Sequence, residues 1–397
     1  MLKTGTDLGN TEGSAYGSLL WRNILGGAET LSLNASAGTR TRSAYSAELG
    51  TPLLSNPDVR LSVEGLASST QKPWASHEEV LKGGAAKLTW AGAAPGDRFQ
   101  LGYSAAWRQV TGLAPHASPT VRADAGDSLK NALSYLFVRD RRDNPMLPQR
   151  GYLLRSNTEL AGWGPLGGDV GHAKSELEVA GAVPVPIPGL LRGSRPSGVS
   201  LGAGFRAGLL YPLPLSSYGL AGARPSRVND RFTLGGPTDV RGFALGGLGP
   251  RDGADAVGGD LFAAGSVNLL LPLPRAGADS PFRLQLFANG GRLAAVKSSS
   301  SASSSSRRRE KKQDGDGGDN AGQGRGGKFQ GAAGVWDGVL AAARDVADGP
   351  PSVAAGVGLV YAHPVARLEL NFSLPLVVRR GEEARKGLQV GVGINFL

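Results

Sequence analysis

The sequence contains no cysteine, so it can hold neither a disulfide framework nor a thiolate metal site. Its four histidines leave little room for other metal chemistry. No stretch approaches the ~18 to 20 consecutive apolar residues of a spanning helix, which excludes a helical membrane protein. Residues 1 to 20 have neither the basic start and apolar core of a secretory signal nor the Arg-rich amphipathic pattern of a transit peptide. Catalytic signatures are equally scarce. His77-Glu78-Glu79 begins like a zinc-protease motif, but the position four after the histidine is Leu81. Gly202-Ala203-Gly204-Phe205-Arg206-Ala207 resembles a dinucleotide fingerprint, yet it lies inside an alternating run and opens no helix. No Gly-Lys-Ser phosphate loop and no Ser, His and acid constellation stands out. Neither an enzyme nor a bound cofactor or metal is expected.

What the chain has instead is glycine and proline, 61 and 25 of them in 397 residues, recurring between short alternating runs as turn residues do in all-β chains. Period-two alternation puts successive side chains on opposite faces of a strand. The last window is the clearest: Leu388, Val390, Val392, Ile394 and Phe396 share one face, while Gln389, Gly391, Gly393 and Asn395 share the other. Before it, Leu368, Leu370, Phe372, Leu374 and Leu376 alternate with Arg367, Glu369, Asn371 and Ser373. Upstream, Leu177 and Val179 oppose Glu176 and Glu178, and Leu201 and Phe205 oppose Gly202, Gly204 and Arg206.

Periodicity alone fits a soluble sandwich as well as an outer-membrane barrel with its apolar face toward lipid. Two details favour the barrel. The windows match the roughly 9 to 11 residues of a tilted spanning strand, and many inward residues are small. About sixteen windows can be counted, near residues 2–9, 13–23, 29–40, 43–52, 58–70, 81–91, 97–109, 127–139, 151–162, 172–184, 198–210, 259–272, 282–292, 353–361, 365–376 and 387–397. The expectation is an all-β, transmembrane antiparallel β-barrel over residues 1–397, with both termini on one side.

Three segments interrupt the meander. Residues 211–258 form a Gly- and Pro-rich connection far longer than most loops. Residues 297–330 are a low-complexity insertion, basic at Arg307-Arg308-Arg309-Glu310-Lys311-Lys312, and are expected to be disordered. The bland reading of that charge is a solvated insertion, and binding to anionic lipid or acidic presequences is the alternative. After it, Val335, Val339, Leu340, Ala343 and Val346 recur at helical spacing, which predicts a short amphipathic helix.

The long connection contains Leu234-Gly235-Gly236-Pro237-Thr238-Asp239-Val240-Arg241-Gly242-Phe243. Val240-Arg241-Gly242-Phe243 resembles the hallmark tetrapeptide of the outer-membrane-protein assembly superfamily, whose members insert barrel proteins or translocate polypeptides. Arg139 to Tyr152 looks like that superfamily's turn motif, with Asp143, Asn144, Pro145, Pro148 and Gly151 at its marked positions. Phe287-Ala288-Asn289-Gly290-Gly291 resembles its wall motif of Phe, any, Asp, any, Gly, with Asn289 in place of the acid. Within the superfamily the chain is most similar to the barrel-forming core subunits of the mitochondrial sorting and assembly machinery. Segments from Lys3-Thr4-Gly5-Thr6-Asp7-Leu8 to Val365-Ala366-Arg367-Leu368-Glu369-Leu370-Asn371 carry that likeness.

The resemblance implies that the 211–258 loop folds into the lumen and that Arg241 meets the inner wall. Alternation turns Phe287, Asn289 and Gly291 inward, so a contact from Arg241 to Asn289 is expected, a charge-to-amide hydrogen bond where an ion pair would otherwise stand. Glu369, also inward, is the rival partner and would restore the ion pair. The resemblance further implies insertion and assembly of β-barrel precursors into the mitochondrial outer membrane through a lateral gate between the first strand, at Lys3, Thr4, Gly5, Thr6, Asp7 and Leu8, and the last. Gln389, Gly391, Ile394 and Phe396 in the last strand also fit the pattern of a mitochondrial barrel signal. The implied partners are β-barrel precursors, accessory subunits and outer-membrane lipid, with no nucleic acid. A polypeptide-translocating barrel of the same superfamily and a passive channel are the alternatives. The family carries a polypeptide-transport-associated domain ahead of the first strand, and because Met1 already falls in that strand, a truncation there is expected.

Overall fold

The computed structural model describes residues 2–8, 13–54, 56–186, 198–214, 225–273, 280–296, 331–363 and 366–393. The expected disordered insertion at 297–330, and Ile394 and Phe396, lie outside the described residues. The alternating windows resolve into sixteen antiparallel strands: β1 (Leu2–Leu8), β2 (Gly13–Arg22), β3 (Thr30–Gly38), β4 (Thr41–Leu53), β5 (Asn56–Lys72), β6 (His77–Ala91), β7 (Asp97–Thr111), β8 (Gly126–Asp140), β9 (Gly151–Ala161), β10 (His172–Pro184), β11 (Ser200–Pro212), β12 (Leu261–Pro272), β13 (Phe282–Ala294), β14 (Ser352–Ala362), β15 (Arg367–Val377) and β16 (Gly387–Gly393). Every strand pairs with its successor in the sequence, and the two ends of the sheet are β1 and β16. Among the described residues no backbone pairing joins those two ends.

Burial decides between a soluble sheet and a membrane wall. Leu368, Leu370, Phe372 and Leu374 of β15 are exposed, whereas Arg367, Glu369, Asn371 and Ser373 on its other face are buried. Val390 and Gln389 of β16 divide the same way. A protein that shows water its leucines and hides its charges has its faces reversed for solution and correct for lipid. Aromatic rings mark the rims of this outer face. Trp90, Phe99 and Phe137 stack in a row at one end, with centroids 5.6 and 5.0 Å apart, and Phe282 stacks on Tyr361 at 4.7 Å at the same end. Trp107 and Tyr211 lie on the outer face toward the other end. From Phe99 to Trp107 the tilted strand rises roughly 20 Å, comparable with the apolar band of an outer-membrane barrel.

The sheet is rolled. Arg108 of β7 holds Asp230 of the long connection, and Gln389 of β16 holds Gly242. On a flat sheet nine strand spacings would separate β7 from β16 by about 43 Å. The twelve residue steps from Asp230 to Gly242 could span that only when fully extended, at about 3.3–3.6 Å each. They are not extended, because Asp239 and Val240 fold back on Gly236 in a turn. Residues 225–258 of the connection therefore lie inside, where Leu210, Phe232, Leu234, Val240, Phe243, Leu248, Phe262 and Leu293 form an apolar cluster. Two helices decorate the end from which this loop enters: α1 (Pro119–Ala123), capped by the Ser118 side chain, and α2 (Gly331–Asp348), which realises the helical spacing read from the sequence.

Candidate functional site

The tetrapeptide Val240-Arg241-Gly242-Phe243 sends its side chains to opposite sides of the loop. Val240 and Phe243 are fully buried in the lumen's apolar cluster, and Arg241, equally buried, faces the wall. Gly242 lets the chain make this reversal: its φ is +85°, and a Cβ there would come within 2.6 Å of the Ala354 Cβ. Both facts make a side chain at this position costly.

The carboxylate partner of Arg241 is Glu369 of β15, with Nε and Nη2 each 3.0 Å from one carboxylate oxygen. Neither side chain is exposed at all. The arrangement corrects the expectation that Asn289 takes up the guanidinium. Asn289 meets the main chain of the same residue: with its amide turned to satisfy both ends, its oxygen accepts from the Arg241 N–H at 2.7 Å and its nitrogen donates to the Arg241 carbonyl at 3.2 Å. A neutral amide both donates and accepts and so matches a peptide unit, while the buried cation takes the carboxylate. Phe287 lies beneath the guanidinium, 5.0 Å from ring centroid to Cζ, as a cation–π floor. Gly291 keeps the wall low where Leu234 crosses, since a Cβ there would lie 2.8 Å from that side chain.

Glu369 is shared. Arg367 reaches its other oxygen at 2.6 Å, and the Asn371 amide donates at 2.8 Å to the oxygen that Arg241 holds. Arg367 also donates to Gln285 at 3.2 Å and to the Met146 carbonyl at 3.3 Å. The network thus runs from the lumen loop, across the wall, to the segment that contains the turn motif.

Residues 23–396 match the Omp85 superfamily domain. The chain belongs to the Omp85 superfamily. A SAM50-like protein of Schizosaccharomyces pombe is 39% identical over 397 residues, covering 100% of this chain and 72% of that protein. The sorting and assembly machinery component 50 homolog of Homo sapiens is 32% identical over 401 residues, covering 99% of this chain and 72% of that one. Among solved structures, BamA from Haemophilus ducreyi lacking POTRA domains 1–3 aligns with a TM-score of 0.71 at 14% identity, over 99% of this chain and 69% of that one. CdiB from Acinetobacter baumannii aligns at 0.52 and 11% identity, over 98% and 58%. Both structural likenesses are likenesses of fold.

In this Omp85 barrel the turn motif folds on its own side chains. One Asp143 oxygen accepts from the backbone N–H groups of Asn144, Gln149 and Arg150, at 2.9, 3.0 and 3.1 Å. Asn144 accepts from Met146 at 2.9 Å and from Leu147 at 3.3 Å, which leaves Pro145 between two fixed turns. Gly151 opens β9 with φ +105°, where a Cβ would lie 2.1 Å from the Arg141 carbonyl. The Pro148 carbonyl accepts from Ser200, and Leu147 packs against Leu270 and Val360.

The gate positions fall at the two ends of the sheet. Among the described residues, Lys3 to Leu8 pair only on the β2 side, from Lys3 with Ser18 to Leu8 with Gly13. Gly391 pairs with Glu369 across β15 and β16. Gln389 does more than occupy the last strand: its Oε1 accepts from the Gly242 N–H at 2.9 Å, and its Nε2 donates to the Phe243 carbonyl at 3.3 Å. The hallmark loop is therefore tied to the edge strand itself.

Sequence reading missed most of the anchors that carry the rest of the loop. Asp230 receives both terminal nitrogens of Arg108, at 2.7 and 3.1 Å, and Lys130 at 3.2 Å. Burial of Asp230 opposes its ionisation, but the charge and hydrogen bonds of Arg108, with Lys130 behind them, hold its carboxyl below the usual carboxylate range. Asp239 binds Arg206, Asp255 binds Ser76 and the Ser118 N–H, Asp252 binds Thr120, and Arg251 binds Glu383. A signal was present: aspartates in the loop, and Arg108, Lys130 and Arg206 on inward positions with no acid beside them on the same face in sequence.

Proposed function

We propose that this chain is an insertase of the mitochondrial outer membrane, which assembles β-barrel precursors at a seam between β1 and β16 without covalent chemistry. Membership of the Omp85 superfamily, the relatives named for the sorting and assembly machinery, and a BamA-like fold support the reading. Its working partners are then barrel precursors, the accessory subunits of an assembly complex and the surrounding lipid. The observation that carries the proposal is the tie from Gln389 on edge strand β16 to the Gly242-Phe243 backbone of the lumen loop. An edge strand in lipid presents N–H and C=O groups that are costly until paired. A precursor strand can satisfy them by β-augmentation on β1, while the loop steadies β16 from inside. Exchange of the precursor's final strand against β16 then releases the finished barrel.

Cross-linking tests this directly, because the chain has no cysteine of its own. Cysteines placed at Thr4, Thr6 or Leu8 are expected to form disulfides with cysteines in the final strand of an arrested precursor. Consistent failure at all of them, with the precursor bound, would refute the seam. A passive channel predicts no precursor binding.

A further inference from the structure

Helix α2 does not lie over the lumen. Its buried residues Val335, Val339 and Ala342 pack on Ala294, Leu209, Tyr211 and Leu261, all of which are on the outward face of the wall. Trp336 meets Tyr211 of β11, with centroids 5.2 Å apart, and Asp345 meets Arg292 of β13 at 2.8 Å. The helix therefore crosses from β11 to β13 along the rim, tangential to the barrel.

Beyond the flank of Gly338, Ala341 and Asp345, its remaining circumference carries two stripes. At 100° per residue, Trp336, Leu340, Ala343 and Ala347 form one stripe beside the buried face, and Asp337, Arg344 and Asp348 form another opposite it. In the apolar stripe Trp336 is 55% and Leu340 50% exposed. We propose that α2 is an interfacial helix, docked on the outside of the barrel and lying in the membrane plane, whose Trp336–Leu340 stripe is buried in the lipid headgroup and upper acyl region.

Three observations choose lipid as the occupant. Farther along the same outward face from the residues that α2 covers, the wall exposes Phe205 and Leu201 on β11 and Val267 on β12. Strands β11, β12 and β13 are 13, 12 and 13 residues long. A spanning strand needs only about 9–11, so the ends on which α2 sits, at Tyr211 of β11, Leu261 of β12 and Ala294 of β13, rise into the interfacial layer. Finally, Arg292 points outward and is paired with Asp345. An outward Arg is strongly disfavoured at the bilayer midplane and tolerated near the interface. The Trp336–Tyr211 pair is of the aromatic type enriched at that depth.

The test uses single-cysteine variants of the full chain, Leu340→Cys and Ala347→Cys against Asp337→Cys and Arg344→Cys. Each is labelled with an environment-sensitive fluorophore and reconstituted in phosphatidylcholine vesicles. The expected result is a blue-shifted emission at 340 and 347 that is quenched severalfold more by headgroup-proximal nitroxide lipids than by aqueous iodide. The order should reverse at 337 and 344. Equal iodide quenching at all four positions would overturn the proposal. So would a stripe that is protected only when accessory proteins are added, since that marks a protein-docking surface. Should a labelled variant fail to fold, the fluorescence difference between wild type and Trp336→Phe gives the same reading without a label. Nitroxide lipids must quench that difference signal, and a signal quenched by iodide alone refutes lipid burial.

Discussion

The two halves of the inner wall obey one alternation and meet different occupants. On β13 to β15 the inward residues Gln285, Asn289, Arg367, Glu369 and Asn371 are buried under the lumen loop, in a network where each charge has a designated partner. On β3 to β6 the inward groups face open space. Lys87 and Glu64 pair there with side chains 34% and 20% exposed, and Asn34 donates to Ser46 in an exposed contact. Period-two patterning says which residues point inward. It does not say whether they will find water or protein. A polar wall left to water tolerates loose pairs, whereas a wall covered by a loop must satisfy every group, because an unpaired buried charge is costly.

The comparison breaks most visibly at Glu369. Glu369→Ala leaves Arg241 and Arg367 buried together without their common anion, and should destabilise the folded barrel by about 3–5 kcal/mol. The urea midpoint of the heat-modifiable band on gels measures this. A loss under about 1 kcal/mol, the scale of an exposed pair, would mean that water reaches the network.

Asp230→Asn comes next. It keeps the shape but removes the charge held by Arg108 and Lys130, at an expected cost of about 1.5–3 kcal/mol. The effect is pH-dependent. Because the folded carboxyl titrates below the unfolded one, its contribution is complete above the usual carboxylate range and is lost as pH falls through the folded value. Wild type should therefore approach the Asn variant's stability in acid and exceed it at neutral pH. A constant gap between the two across that range would count against the ion pair. Gly242→Ala is smaller again, about 1–3 kcal/mol, from a positive φ combined with the Ala354 contact. Its readout is protease accessibility of the loop, which should rise while the strand content by circular dichroism holds.

All sixteen strands were legible because each exceeds a few residues and lipid on one side enforces strict alternation; His172–Pro184 matches its window residue for residue. The loop motif was legible as a resemblance, and its entry into the lumen followed. The choice of partner for Arg241 was not. Asn289 occupies the wall-motif position on β13 and Glu369 lies two strands away, so local pattern favoured the amide. Only the register of β13, β14 and β15 brings both within reach of one loop residue, and then the demand of a desolvated guanidinium for a carboxylate decides. The anchors at Asp230 and Asp255 were illegible for a similar reason: each joins residues more than a hundred positions apart through a loop whose path alternation does not encode.

The smallest effect tests the other half. Glu64→Ala removes the partner of Lys87 on the open wall, where both groups keep partial access to solvent. Exposed pairs contribute about 0–1 kcal/mol, so the urea midpoint should hardly move. Whatever shift there is should fade further in high salt, since screening acts on charges that water can reach. A loss comparable with that of Glu369→Ala would show that the lumen beside β5 and β6 is filled in the membrane. The asymmetry between a packed wall and an open one would then be false, and with it the room next to β1 that a threading precursor requires.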